Sequence, residues 1–217
     1  MIISLTGFMG CGKSSVGRRL SELLCCPFMD LDEEIEARAG RSIPEIFAED
    51  GEGAFREMEL ETLKGILYAD SERLCTPLAP SHSGAAGPSP YAGVRKCQFR
   101  TSASPITTTI LSLGGGTVMT AECAKMVHEH TRCIYLRASV DTLTEHLDGE
   151  TANRPMLSGN SDAHSTNEST VRERISKLMA LRSGTYERTA HVIIDTDGRS
   201  IDEIALEIIS KVRQSGV

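Results

Sequence analysis

The residues best suited to chemistry lie near the start of the chain, in Gly7-Phe8-Met9-Gly10-Cys11-Gly12-Lys13-Ser14. Glycines let such a loop curl so that successive backbone N–H groups converge on phosphate oxygens. A helix that begins at its end adds the positive end of its dipole. A lysine at the place of Lys13 reaches the β- and γ-phosphates of a nucleoside triphosphate, and a hydroxyl at the place of Ser14 ligates Mg²⁺. The loop follows the apolar run Ile2-Ile3-Ser4-Leu5 and precedes a helical pattern over Ser14–Leu24. That strand–loop–helix setting separates the motif from an ordinary glycine-rich turn.

Two further groups, an aspartate pair and a triple glycine, fall where a parallel sheet gathers its ligands, beyond the carboxyl ends of the strands, and three arginines stand apart from them. Asp30 and Asp32 follow a second short strand; Asp30 suits a metal shell and Asp32 an acceptor pocket, although an aspartate pair could equally cap the next helix. Arg56 falls in the first turn of an expected helix, against the dipole preference for acidic groups there. It is placed either for a carboxylate ligand or as a surface partner of Glu52 or Glu59. Gly114-Gly115-Gly116 follows a third strand, where missing side chains permit close approach to the backbone and unusual φ values. Arg154 lies in a polar loop, suited to charge on a transferred phosphoryl group. Arg182 lies on a helix, suited to a bidentate grip on a carboxylate; either arginine taken singly also fits an exposed position.

The elements that must position these groups alternate between short apolar runs and helical patterns, the signature of βαβ units. Strands are expected at Ile2–Leu5, Pro27–Asp30, Ile110–Leu113, Cys133–Leu136 and Val192–Asp195. Helices are expected at Ser14–Leu24, Leu31–Ala39, Ile43–Glu49, Gly53–Tyr68, Ala121–Glu129, Val140–Leu147, Thr170–Tyr186 and Ile201–Val212. In the last, Ile201, Ile204, Ala205, Ile208, Ile209 and Val212 share one face and are expected in the core. One domain spans 1–217 on this reading. Residues 70–109, rich in Pro, Ser, Gly, Thr and Ala, read as a surface insertion, and 148–169 as a mobile lid.

Composition narrows the class. With 23 Lys and Arg against 30 Asp and Glu, the net charge is −7, which argues against a nucleic-acid surface. No apolar run approaches a membrane span, and no secretory pattern opens the chain. The seven cysteines show neither metal spacing nor a disulfide framework. A soluble, reduced, cytoplasmic enzyme, able to work as a monomer, is the simplest expectation.

Taken together, the phosphate loop, Asp30-x-Asp32, Phe55-Arg56 with Glu59, Gly114-Gly115-Gly116-x-Val118, Arg154-Pro155 and Arg182 with Tyr186 resemble the shikimate kinase family. The resemblance follows the family's order and covers nearly the whole chain except the insertion. It implies a three-layer α/β/α P-loop NTPase fold with a five-stranded parallel sheet and a mobile lid. The implied activity is transfer of the γ-phosphoryl group of ATP to the 3-hydroxyl of shikimate, with Mg²⁺ as cofactor. By the same resemblance Gly10, Cys11, Gly12, Lys13, Ser14 and Ser15 hold ATP, and Ser14 and Asp30 serve the metal. Asp32 is the base toward the attacking hydroxyl, with Lys13 and Arg154 acting on the phosphates. Arg56 and Arg182 grip the shikimate carboxylate beside Gly115 and Gly116. Relatives that carry an arginine shortly before the lid pack it on adenine; here that neighbourhood is Glu145-His146-Leu147, so Arg199 is the candidate for part of that platform.

Two rivals remain at this point. A related small-molecule kinase, acting for example on gluconate, is disfavoured by the Arg56 and Arg182 pair with Asp32. A binding module without catalysis is disfavoured by the intact Lys13, Ser14, Asp30 and Asp32. Cys11, beside Lys13 and a helix N-terminus, is expected to have a lowered thiol pKa and to be shielded by ATP.

Overall fold

The computed structural model describes residues 1–73, 108–147 and 168–214. Five strands form one sheet: β1 (Ile2–Thr6), β2 (Phe28–Asp30), β3 (Thr109–Ser112), β4 (Arg132–Arg137) and β5 (Val192–Asp195). All pairings are parallel and the spatial order is β2-β3-β1-β4-β5. Parallel strands need crossovers, which helices supply. These are α1 (Lys13–Leu24), α2 (Leu31–Ala39), α3 (Ile43–Glu49), α4 (Gly51–Arg73), α5 (Ala121–His130), α6 (Val140–Leu147), α7 (Glu168–Thr189) and α8 (Ile201–Gln214). The α/β expectation with five parallel strands holds.

Successive strand residues face opposite sides, so two cores form. On one side Ile3, Leu5, Ile110, Ile134 and Ile194 pack against Val16 and Leu20 of α1, Leu143 of α6, and Ile204 and Ile208 of α8. On the other, Ile2, Leu111, Cys133 and Tyr135 meet Leu31 and Ile35 of α2, Leu63 of α4, Val127 of α5 and Tyr186 of α7. Burial on both faces explains why the strands read as continuous apolar runs. Ile201 departs from the expected α8 core stripe: it is 45% exposed because it stands where the helix begins, at the edge of a cleft.

The element boundaries shift in two places that matter. α4 starts at Gly51, whose φ of +82° turns the chain directly out of α3, and it runs to Arg73. Residues 70–73, expected to open the insertion, instead continue the helix. The rest of the expected insertion up to 107 lies outside the described residues. α7 begins at Glu168, inside the expected lid, and the lid residues before it also lie outside. Cys25 is disulfide-bonded, against the expectation of a reduced chain without a disulfide framework, while Cys11, Cys26, Cys123 and Cys133 are free. Among the described residues no helix is long and apolar enough to cross a membrane.

Candidate active site

Strand order decides where the site lies. β1 continues through α1 to β2, two places away, and β3 returns between them before the chain crosses to β4. The carboxyl ends of β1, β2 and β3 therefore converge at the reversal point where open α/β sheets bind ligands.

The loop after β1 makes the phosphate end of a cleft of about 760 Å³. Gly12 caps α1 in the left-handed region with φ +87°, a conformation that disfavours any side chain. Lys13 is buried, and its ammonium donates to the carbonyls of Gly7 (3.1 Å) and Phe8 (3.0 Å). The Ser14 hydroxyl donates to Asp30 Oδ2 at 2.6 Å and stands 3.4 Å from Ser112 Oγ. The other Asp30 oxygen accepts from the Asp32 N–H at 3.1 Å as the N-cap of α2. Asp30 thus caps α2 with one oxygen and receives the Ser14 hydroxyl with the other. Gly10, Cys11, Gly12, Ser14, Ser15 and Asp32 line this cleft, and His146, Thr196, Arg199, Ser200 and Ile201 form its far wall. Arg199 is fixed there by the Asp195 (3.1 Å) and Glu203 (3.3 Å) carbonyls and by an ion pair with Glu207. His146 Nδ1 lies 2.9 Å from the Gly10 carbonyl, which can only accept, so Nδ1 carries the proton in this contact.

A second cavity of about 410 Å³ adjoins the first and shares Met9, Asp32 and Gly115 with it. Ile43, Phe47 and Phe55 give it an apolar wall, while Arg56, Arg182 and Glu36 bring charge. Glu59, only 1% exposed, sets Arg56 in place: it accepts from Arg56 Nη1 at 2.8 Å and from Thr117 Oγ1 at 2.6 Å. Arg56 also donates to Glu52 at 3.2 Å. Arg182 is 7% exposed and, among the described residues, has no carboxylate partner. The glycines are demanded by space. A Cβ on Gly114 would stand 2.6 Å from Asp32 Oδ1, and one on Gly116 would stand 2.7 Å from Arg56 Nη2.

Asp32 is the electrostatic centre. Burial, then the Asp30 carboxylate, push its pKa from 3.8 up to about 6, with Lys13 opposing and Glu59 adding to the rise. A carboxylate held near neutrality among opposing influences is what proton transfer asks for.

The shikimate kinase family model matches residues 9–74 and 96–213. The chain belongs to the shikimate kinase family. It is 34% identical over 218 residues to the shikimate kinase of Chlorobaculum tepidum, covering 99% of this chain and 93% of that protein. The shikimate kinase of Dictyoglomus turgidum is 32% identical, at 97% and 96% coverage. A shikimate kinase structure from Acinetobacter baumannii, in complex with shikimate, superposes with a TM-score of 0.73 at 24% identity, over 100% of this chain and 94% of that one. That likeness shows the fold. The chain is accordingly an ATP-dependent kinase, and the break in the family match, at 75–95, falls inside the segment read as an insertion.

Of the site residues expected from sequence, Lys13, Ser14, Asp30, Asp32, Arg56, Gly115, Gly116, Arg182 and Arg199 come together around the two cavities; Arg154 lies outside the described residues. Three arguments need correction. Arg56 is the sixth residue of α4, beyond the first turn, so no dipole conflict marks it; the pairs with Glu59 and Glu52 and the cavity coexist. The three glycines do not adopt positive φ; contact alone excludes side chains. Cys11 is 3% exposed, and burial outweighs Lys13 to raise its thiol pKa rather than lower it. Residues not anticipated include Ser112 and Thr117. Ser112 ends a buried strand and is polar, a signal available in the sequence. Thr117 and its bond to Glu59 span 58 positions and had none.

Proposed function

We propose that this chain transfers the γ-phosphoryl group of ATP to the 3-hydroxyl of shikimate, giving shikimate 3-phosphate and ADP on the route to chorismate and the aromatic amino acids. The observation that carries the reading is the shared wall of the two cavities, with Asp32 at the junction between a phosphate loop and a pocket bearing Arg56 and Arg182. The 3-hydroxyl oxygen bonds to the γ-phosphorus as the bond to the β–γ bridging oxygen breaks. That electron pair leaves with ADP, and the hydroxyl proton passes to Asp32. Lys13 leaves its two carbonyl partners for the phosphates, and the amides of Gly10 to Ser15 hold them. Arg182, buried and without a carboxylate partner among the described residues, takes the shikimate carboxylate together with Arg56.

The oxygen donors Ser14 and Asp30, with Ser112 beside them, suit Mg²⁺, a hard ion that takes few protein ligands and keeps phosphates and waters. Bound there, Mg²⁺ would neutralise charge on the phosphates as they separate. Catalysis of this kind rests on positioning and charge stabilisation.

A coupled ADP-release assay with Mg-ATP, run with shikimate, gluconate or no acceptor, tests the reading. Turnover should require shikimate and should fall at least a hundredfold in Asp32→Asn, the size of a general-base contribution. Equal turnover with gluconate would overturn the acceptor assignment, and full activity in the variant would overturn the base.

A further inference from the structure

Tyr186 is fully buried on α7, and its ring stacks on Tyr135 at 5.2 Å. Its hydroxyl donates to the Gly115 carbonyl at 2.5 Å, and Arg182 lies one helical turn earlier on the same helix. The contact ties α7 to the glycine loop. Gly115 lines both cavities, so the orientation of its peptide is felt on both sides of the junction.

A trans peptide is planar and holds C=O and N–H antiparallel. Fixing the Gly115 carbonyl on Tyr186 therefore sends the Gly116 N–H in the opposite direction, and Gly116 lines the acceptor cavity. Among the described residues that N–H has no partner within the protein. A glycine peptide rotates more freely than any other, so without an anchor its N–H would sample many directions.

We propose that Tyr186 is a positioning residue for the acceptor: it pins the Gly115–Gly116 peptide so that the Gly116 N–H faces the acceptor's polar edge. The inference rests on the acceptor assignment above. The Tyr135 hydroxyl, across the stack, is buried with no hydrogen-bond partner among the described residues, which makes it the matched control: the same deletion, the same stack, no anchor lost.

Tyr186→Phe keeps the ring and removes only the hydroxyl. It should raise KM for shikimate about tenfold, the effect of one well-placed hydrogen bond, with KM for ATP within about twofold of wild type. Tyr135→Phe should leave both constants unchanged. An unchanged shikimate KM in Tyr186→Phe, or an equal rise in both constants, overturns the proposal. Hydrogen exchange on the wild-type protein gives a reading independent of any variant's folding: shikimate alone should slow amide exchange over 114–117, and no slowing overturns the proposal. A wild-type protein inactive on shikimate would instead sink the functional reading itself, so the two failures are distinguishable.

Discussion

Asp32→Asn should slow catalysis at least a hundredfold and at the same time stabilise the fold. The carboxylate costs free energy because burial and Asp30 oppose its charge; the folded pKa is about 6 against 3.8 for the free group. At about 1.4 kcal/mol per pKa unit, that difference of about two units is a penalty of about 3 kcal/mol when both states are ionised. The sign follows from proton uptake. Between the two values the folded state binds the proton more tightly, so the stability tied to this group is full below pH 3.8 and is lost as pH rises through about 6. Asparagine has no charge to desolvate and carries no such dependence. The variant should therefore exceed the wild type by about 3 kcal/mol at pH 8, about half that at pH 5, and about 0.5 kcal/mol at pH 4. In a chain of this length the pH 8 gap corresponds to a rise in Tm of about 6–12 °C. Urea unfolding at the three pH values measures it directly. A variant no more stable than wild type at pH 8, or a gap that fails to shrink on acidification, would refute the reasoning.

Two more outcomes follow from packing. In Gly116→Ala the new Cβ stands 2.7 and 2.9 Å from the two Arg56 Nη atoms, which Glu59 and Glu52 hold in place. KM for shikimate should rise roughly tenfold or more while ATP binding changes little, because the cost falls on a charged contact; equal loss of both affinities counts against this. Cys11 should react slowly with iodoacetamide whether or not Mg-ATP is present, since burial raises its pKa and low thiolate character suppresses alkylation. Labelling should become fast in urea, and rapid labelling in native buffer would show the thiol to be accessible after all.

What the sequence discloses about this molecule is what is local or periodic. The phosphate loop, the apolar strand runs and the α8 stripe are short patterns with a fixed period, and the strands emerge within about two residues of expectation. Asp30 and Asp32 were legible as a pair because both follow the same strand directly. Contacts across the chain were less so. Glu59 could be read beside Arg56, but not its 2.6 Å bond to Thr117, 58 positions away. Tyr186 could be read beside Arg182, but not the reach of its hydroxyl to Gly115, 71 positions away. The Cys11 expectation failed for a related reason: the neighbours in sequence, Lys13 and a helix N-terminus, argue for a reactive thiol, whereas burial, a property of the whole fold, dominates.

The triple glycine shows how topology and chemistry meet. Because β3 lies between β2 and β1, its following loop is wedged between the Asp30-Leu31-Asp32 segment and the phosphate loop. A Cβ on Gly114 would press on Asp32 at 2.6 Å, and one on Gly115 would press on the Met9 amide at 3.2 Å. Side chains there would push Asp32 and the phosphate loop apart by the width of a methyl group. Phosphoryl transfer depends on reacting atoms held about 3–3.5 Å from one another. The glycines thus set the spacing between donor and acceptor, and a sheet with β1 beside β2 would have no place for them.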